Sequence, residues 1–307
     1  MTRKAFFVTM IVLVVAVLAA GCAPTPAPAA GPIQLTDGLG RAVTLAAPAQ
    51  RIVSIAPSNT EILFAIGAGK QVVGRDEMSD YPAEAKAVAS IGSTYAKLNT
   101  EAVVALKPDL VLAADITNPE QIQALEQLGI TVYELPNPKD FAGLYANLAT
   151  IGKLTGHEAE AAAYADQLKT RVDAVTSRMA GVSARPKVYY ELDATDPTKP
   201  YTTGPGTFVD MLITLSGGQN IGAALGSAYA QISSEELVRQ NPDVIVLGDA
   251  AYGITVESIG QRPGWDALAA VKNGAVYPVD DNLVSRPGPR LVDGLEQFAR
   301  LIHPEVK

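Results

Sequence analysis

One helix-and-strand unit occurs twice in this chain. LNTEAVVALKPDLVLA at 98–113 is echoed 134 positions later by ISSEELVRQNPDVIVLG at 232–248. In both, a polar residue (Asn99, Ser233) stands where it can cap a short amphipathic helix. Pro-Asp then closes the helix and a β-branched run follows. Both copies carry a glutamate at the same place, Glu101 and Glu235. A chain that writes such a unit twice is constrained to two similar α/β lobes, because each unit has an apolar face to cover.

The surroundings of the two copies agree with this. RIVSI, QVVGR, DLVLAA and ITVYEL read as strands, separated by helices in SNTEILFAIGAG, NTEAVVALK and NPEQIQALEQLG. The second half repeats the alternation with the strands KVYYEL, DVIVLG and AVYPVD. Its helices are GTFVDMLITLSGG, SSEELVRQ, WDALAAVKNG and PRLVDGLEQFARLI. Such alternation predicts mainly parallel sheets with helices on both faces. Between 139 and 184 strand signals stop, and strong helix formers take over. Ala161, Tyr164, Leu168, Val172 and Val175 recur there at helical spacing. A helix of about 22 residues reaches roughly 33 Å, enough to run along two lobes and restrict their hinging. The expected organisation is an N-terminal lobe at 33–138, connecting helices at 139–184 and a C-terminal lobe at 185–307.

The N-terminus belongs to neither lobe. Arg3 and Lys4 precede an apolar run from Ala5 to Ala20, then Gly21 and Cys22. This predicts a secretion signal over 1–21; the run is short for a membrane span of about 20 residues. LAAGC resembles a bacterial lipobox, with Ala19 where Leu is usual, and marks Cys22 for lipidation. APTPAPAAGP then forms an extended tether up to 32. The expected location is extracytoplasmic, with the membrane touched through the lipid anchor only.

Composition removes several classes of function. Cys22 is the only cysteine, which excludes an internal disulfide and a cysteine zinc cluster. A formal charge of −8 argues against nucleic acid. His157 and His303, the only histidines, have no partner at metal-ligand spacing, so neither a resident metal nor a cofactor is expected. GAGK at 67–70 ends a helix rather than opening a phosphate loop.

RIVSIAPSNTEILFAIGAG, SDYPAEA, LNTEAVVALKPDLVLA, PYTTG, LSGGQNI and the echo at 232 occur in that order. With them the chain resembles the solute-binding proteins of ABC importers, and among these the class that carries vitamin B12, haem and ferric siderophores. The resemblance implies a class III periplasmic binding protein, an α/β fold of two lobes with mainly parallel sheets joined by one long helix. It implies no catalysis, a monomer, and delivery of cargo to an ABC permease dimer with its ATPase subunits.

The paired glutamates allow three readings. As first-turn acids they favour the helix macrodipole, although an S-x-x-E box between Ser233 and Glu236 leaves Glu235 without a capping duty. As a glycosidase pair they would have to face each other about 5–9 Å apart, which equivalent helix starts in separate lobes do not allow. The third reading follows from the resemblance: in the B12-binding class, a glutamate at this place in each lobe docks onto arginines of the two permease subunits.

The resemblance also nominates a cleft. Tyr95 and Tyr229 each stand six residues before their glutamate, Tyr201 lies in PYTTG, and Met78 precedes SDYP where an aromatic is usual. Tyrosine faces would stack on a flat corrin, and Arg286, Asp280 and Asp281 would meet its polar edge. The plainer alternatives are half-buried loop tyrosines and a surface ion pair between Arg286 and Asp280 or Asp281. Trp265, the only tryptophan, reads as packing. The expected cargo is a cobalamin-type corrinoid. A ferric siderophore, for which Arg75 is a second cation, is one alternative. Haem is another, although Ser93 and Thr94 separate Gly92 from Tyr95 where haem binders use Gly-Tyr. An extracellular sensor of the same ligand is the reading from a different class.

Overall fold

The computed structural model describes residues 31–94 and 98–306. The signal segment, Cys22, the tether up to 30 and Tyr95 lie outside the described residues. The described chain opens with a hairpin that helix–strand alternation does not announce, β1 (Ile33–Thr36) against β2 (Ala42–Leu45). Asp37 shapes its turn by accepting from the N–H groups of Leu39 and Arg41 at 3.1 and 2.8 Å.

The first half continues with β3 (Ile52–Ser54), α1 (Pro57–Ala65), β4 (Val72–Arg75), α2 (Thr100–Ala105), β5 (Leu110–Ala114), α3 (Pro119–Gln127) and β6 (Val132–Leu135). Its four strands pair in parallel in the order β4-β3-β5-β6. Two helices follow, α4 (Phe141–Thr155) and α5 (Glu158–Ala180). The second half contains β7 (Lys187–Glu191), β8 (Tyr201–Thr203), α6 (Phe208–Leu215), β9 (Gln219–Asn220), β10 (Tyr229–Gln231), α7 (Ser234–Gln240) and β11 (Val244–Leu247). It closes with α8 (Val256–Gly260), α9 (Ala269–Lys272), β12 (Val276–Pro278), α10 (Asn282–Ser285) and α11 (Leu291–Ile302). Its parallel sheet runs β9-β7-β11-β12. Counted within its own half, each sheet has the order second, first, third, fourth. The duplication read in the sequence therefore extends to topology.

The repeated Pro-Asp has a structural reason. Asp109 accepts from the N–H groups of Gln50 and Arg51 at 2.7 and 2.9 Å, and Asp243 from that of Lys187 at 2.8 Å. Each acid so ties the start of the third strand to the start of the first. The residue before each proline is left-handed, Lys107 at φ 48° and Asn241 at φ 47°. A cation at the start of the first strand closes each helix end. Arg51 donates to the carbonyls of Leu106 and Lys107, and Lys187 to that of Gln240.

Two local expectations need correction. WDALAAVKNG is not one helix: a 3₁₀ turn, Trp265–Ala267, is separated from α9 by the extended Leu268. The box between Ser233 and Glu236 is half formed. Ser233 accepts from the Glu236 N–H at 3.2 Å, but the Glu236 carboxylate turns forward to Arg239 and Gln240.

At 23 residues α5 spans roughly 35 Å. It buries Ala161, Leu168, Val172, Val175 and Met179 in one apolar cluster. That cluster holds Ile66 and Leu112 from the first half and Val188, Phe298 and Ile302 from the second. Arg171 pins α5 to α11 through Glu296 and Asp293. From Ile33 onward the chain is one contact unit.

Candidate functional site

Parallel α/β sheets receive ligands at the carboxyl ends of their strands. In the first half Asp115 and Ile116 follow β5, and Pro136 and Asn137 follow β6. Together with Ser58, Asn59 and Pro287 they line a narrow hollow. In the second half Leu192 to Thr195 follow β7, and Asp249, Tyr252 and Ile254 follow β11, enclosing about 360 Å³. Pro287 comes from the loop before α11, so the first hollow is closed by a residue of the second half. A hollow of about 430 Å³ bordered by Lys187, Asp210 and Gln240 opens at the amino ends of the second sheet, the wrong end for a cargo site of this architecture.

The 134-residue offset places Asp115 on Asp249. The sequence reading missed both, along with Ile116 and Tyr252, which are 67 % and 86 % exposed. Their signal was position alone, in the segment that follows the third strand of each lobe.

Tyr201 and Tyr229 are brought together. β8 and β10 form an antiparallel ribbon in which Tyr201 faces Gln231 and Tyr229 faces Thr203. The two residues therefore sit diagonally on one face, their backbones roughly 7–8 Å apart. Tyr201 also bridges to Asp193, which lines the larger hollow. Both tyrosines are exposed, as are Met78 and Tyr81.

Arg286 has other partners than Asp280 or Asp281. Its guanidinium lies 2.9 Å from Asp80 and 3.7 Å from Glu61. Arg290 grips the Glu61 carboxylate with two nitrogens at 3.0 and 2.6 Å and lies 4.1 Å above the Tyr81 ring. Burial pushes the Glu61 carboxyl up against the pull of Arg290 and Arg286, and its value is raised. The SDYP stretch is held beneath this latch: Ser79 donates to Asp76, and Thr60 to Ser79. Arg75 is committed to the carbonyls of Ala85 and Asp76, both at 2.9 Å. Asp281 accepts from the Tyr190 hydroxyl at 2.7 Å, and Asp280 from the Asn282 N–H at 3.0 Å.

A buried charge group underlies the larger hollow. Glu191 and Arg262 form a two-bond pair, with Trp265 beneath the guanidinium at 4.6 Å. Asp249 lies beside them, 3 % exposed; its Oδ2 accepts from the Ala194 N–H at 3.0 Å, and its Oδ1 has no partner. Burial, then the charge of Glu191, pushes Asp249 up to about 6.

Glu101 and Glu235 are both exposed in the first turns of α2 and α7, behind Asn99 and Ser233, which cap those helices with their side chains. Glu235 has a local role after all, since its own N–H and the Ser233 hydroxyl hold its carboxyl below the usual range. Among the described residues no three His, Cys, Asp or Glu side chains form a metal cluster, and no helix is long and apolar enough to cross a membrane.

Residues 52–283 match the family described as periplasmic binding protein. The chain is 34 % identical over 277 residues to the ABC transporter substrate-binding lipoprotein YvrC of Bacillus subtilis, covering 89 % of this chain and 86 % of that one. It is 33 % identical over 279 residues to the cobalamin-binding protein of Halobacterium salinarum, covering 89 % and 74 %. Among solved structures it is similar to the periplasmic haem-binding protein RhuT of Roseiflexus, with a TM-score of 0.75 at 25 % identity, covering 84 % of this chain and 99 % of that one.

Proposed function

Since the chain belongs to the periplasmic binding protein family, whose members bind substrates and are not enzymes, we propose that it carries a cobalamin-type corrinoid to an ABC permease. In this reading it is an extracytoplasmic lipoprotein held through Cys22, with its cargo between the carboxyl ends of the two sheets. The observation that supports the reading best is the exposed tyrosine face. Tyr201 and Tyr229 share one side of a ribbon that adjoins the larger hollow, with Tyr252 at its rim. Aromatic faces of this kind suit a wide, flat, apolar plate. The cobalamin-binding relative agrees in cargo class. The resemblance adds Met78 and Tyr95 to the proposed site; Arg286, Asp280 and Asp281, which it also nominates, are already partnered within the protein. Glu101 and Glu235 are the proposed contacts to the two permease subunits.

Titration of the chain begun after Cys22 with cyanocobalamin tests the cargo. One-to-one saturable binding is expected, weakened about tenfold by Tyr229→Ala, since one lost aromatic contact is worth about 1.4 kcal/mol. Haem is the reading to set beside it, supported by the similarity to a haem-binding structure. Haemin binding with tyrosine ligation, and no cobalamin binding, would replace the corrinoid.

A further inference from the structure

The two hollows are lined by acids and, among the described residues, by no lysine or arginine. Asp115 belongs to the first hollow, Asp193 and Asp249 to the second. The arginines nearby are committed within the protein. Arg286 is held by Asp80 and Glu61, Arg290 by Glu61, and Arg262 by Glu191, while Arg75 is held by backbone carbonyls. A carboxylate edge on the cargo would find no free cation there, only like charge, and like-charge contacts across an interface are strongly disfavoured.

Asp249 adds an independent observation. It is buried, it lines the larger hollow, and one of its carboxylate oxygens has no donor. Buried acceptors are nearly always satisfied, and leaving one unmet is costly. Its duplicate Asp115 stands at the same place in the other lobe. Resting on the cargo reading above, we propose that the cleft is a donor-selective seat. Asp193 and Asp249 on one side and Asp115 on the other accept from an uncharged plate edged with primary amides, and they reject a plate edged with carboxylates. Asp115, Asp193 and Asp249 thereby become specificity-determining residues.

The test compares cyanocobalamin with its monocarboxylate, in which one side-chain amide is hydrolysed, by calorimetry at pH 7.5. The wild-type chain should bind the acid about tenfold or more weakly, a difference of about 1.4 kcal/mol per factor of ten. Asp249→Asn can keep the acceptor for Ala194 but turns a donor toward the cargo, so it should weaken cyanocobalamin, strengthen the acid and narrow that gap severalfold. Asp193→Asn, on the exposed side of the hollow, provides a variant with little risk to folding. Equal binding of acid and amide, or variants that weaken both alike, overturns the proposal. If cyanocobalamin does not bind, the corrinoid reading falls, and the charge rule is read from uncharged ferrichrome against haemin with its two propionates. Ferrichrome bound at least tenfold tighter, with the gap narrowed in Asp193→Asn, upholds the rule. Haemin bound as tightly, or neither bound, overturns it.

Discussion

Glu134 sits on β6 with neither carboxylate oxygen partnered, facing Gly38 in the turn of the β1–β2 hairpin. Burial, followed by the charges of Asp115 and Asp37, raises it to about 7, and Arg41 offsets this only in part. Its ordinary value is 4.5, so the folded state holds a proton that the unfolded chain releases. The stability this group allows is complete below pH 4.5 and is lost as pH rises to about 7. Glu134→Gln should therefore leave stability nearly unchanged at pH 4.5 and raise it at pH 8. Denaturant midpoints at the two pH values check this; a gain of equal size at both would show that Glu134 does not titrate in this window.

At the scale of elements, the repeated unit was legible because its parts are local. A cap, an apolar stripe, Pro-Asp and a β-branched run stand within seventeen residues in the second copy. The strand order follows once two copies are recognised, since parallel strands joined by helices admit few arrangements. The β1–β2 hairpin and the β8–β10 ribbon were missed because they stand outside the helix–strand alternation by which the other short strands were read. Lys107 and Asn241 show the repeat at work. Both are left-handed before their Pro-Asp, but only Asn suits that conformation. Lys107→Asn should stabilise the chain by about 0.5–1 kcal/mol; its carbonyl, which Arg51 uses, is kept. Asn241→Lys should cost more than that, because a lysine ammonium cannot accept the Ala269 N–H that now bonds the Asn241 side chain. Thermal unfolding of the two variants measures both, and a loss in Lys107→Asn would contradict the strain argument.

Over the whole molecule, what the sequence could not show is what depends on distant pairs. Glu61 and Arg290 are separated by 229 residues, and no spacing rule links them. Yet they and Arg286–Asp80 fasten the loop before α11 to the start of α1 and the SDYP stretch, beside the cleft. Arg286 was legible as a special residue, but its partners were not. Similarly, Tyr229 could be nominated by its place in the repeat, whereas Tyr252 lies in a 3₁₀ turn that carries no pattern of its own. Glu101 and Glu235 are displayed at equivalent, exposed helix starts in the two halves. As the proposed contacts to two permease subunits they would be required for transport, whereas a ligand sensor would not require them. The most direct measurement is therefore cobalamin uptake through the cognate permease, with cargo affinity measured in parallel, for wild type and Glu101→Ala/Glu235→Ala. The account predicts that uptake is lost while affinity stays within a few-fold, since truncating one partner of a buried interfacial charge pair costs about 2–5 kcal/mol. Normal uptake by the double variant, or lost affinity with docking intact, would contradict it.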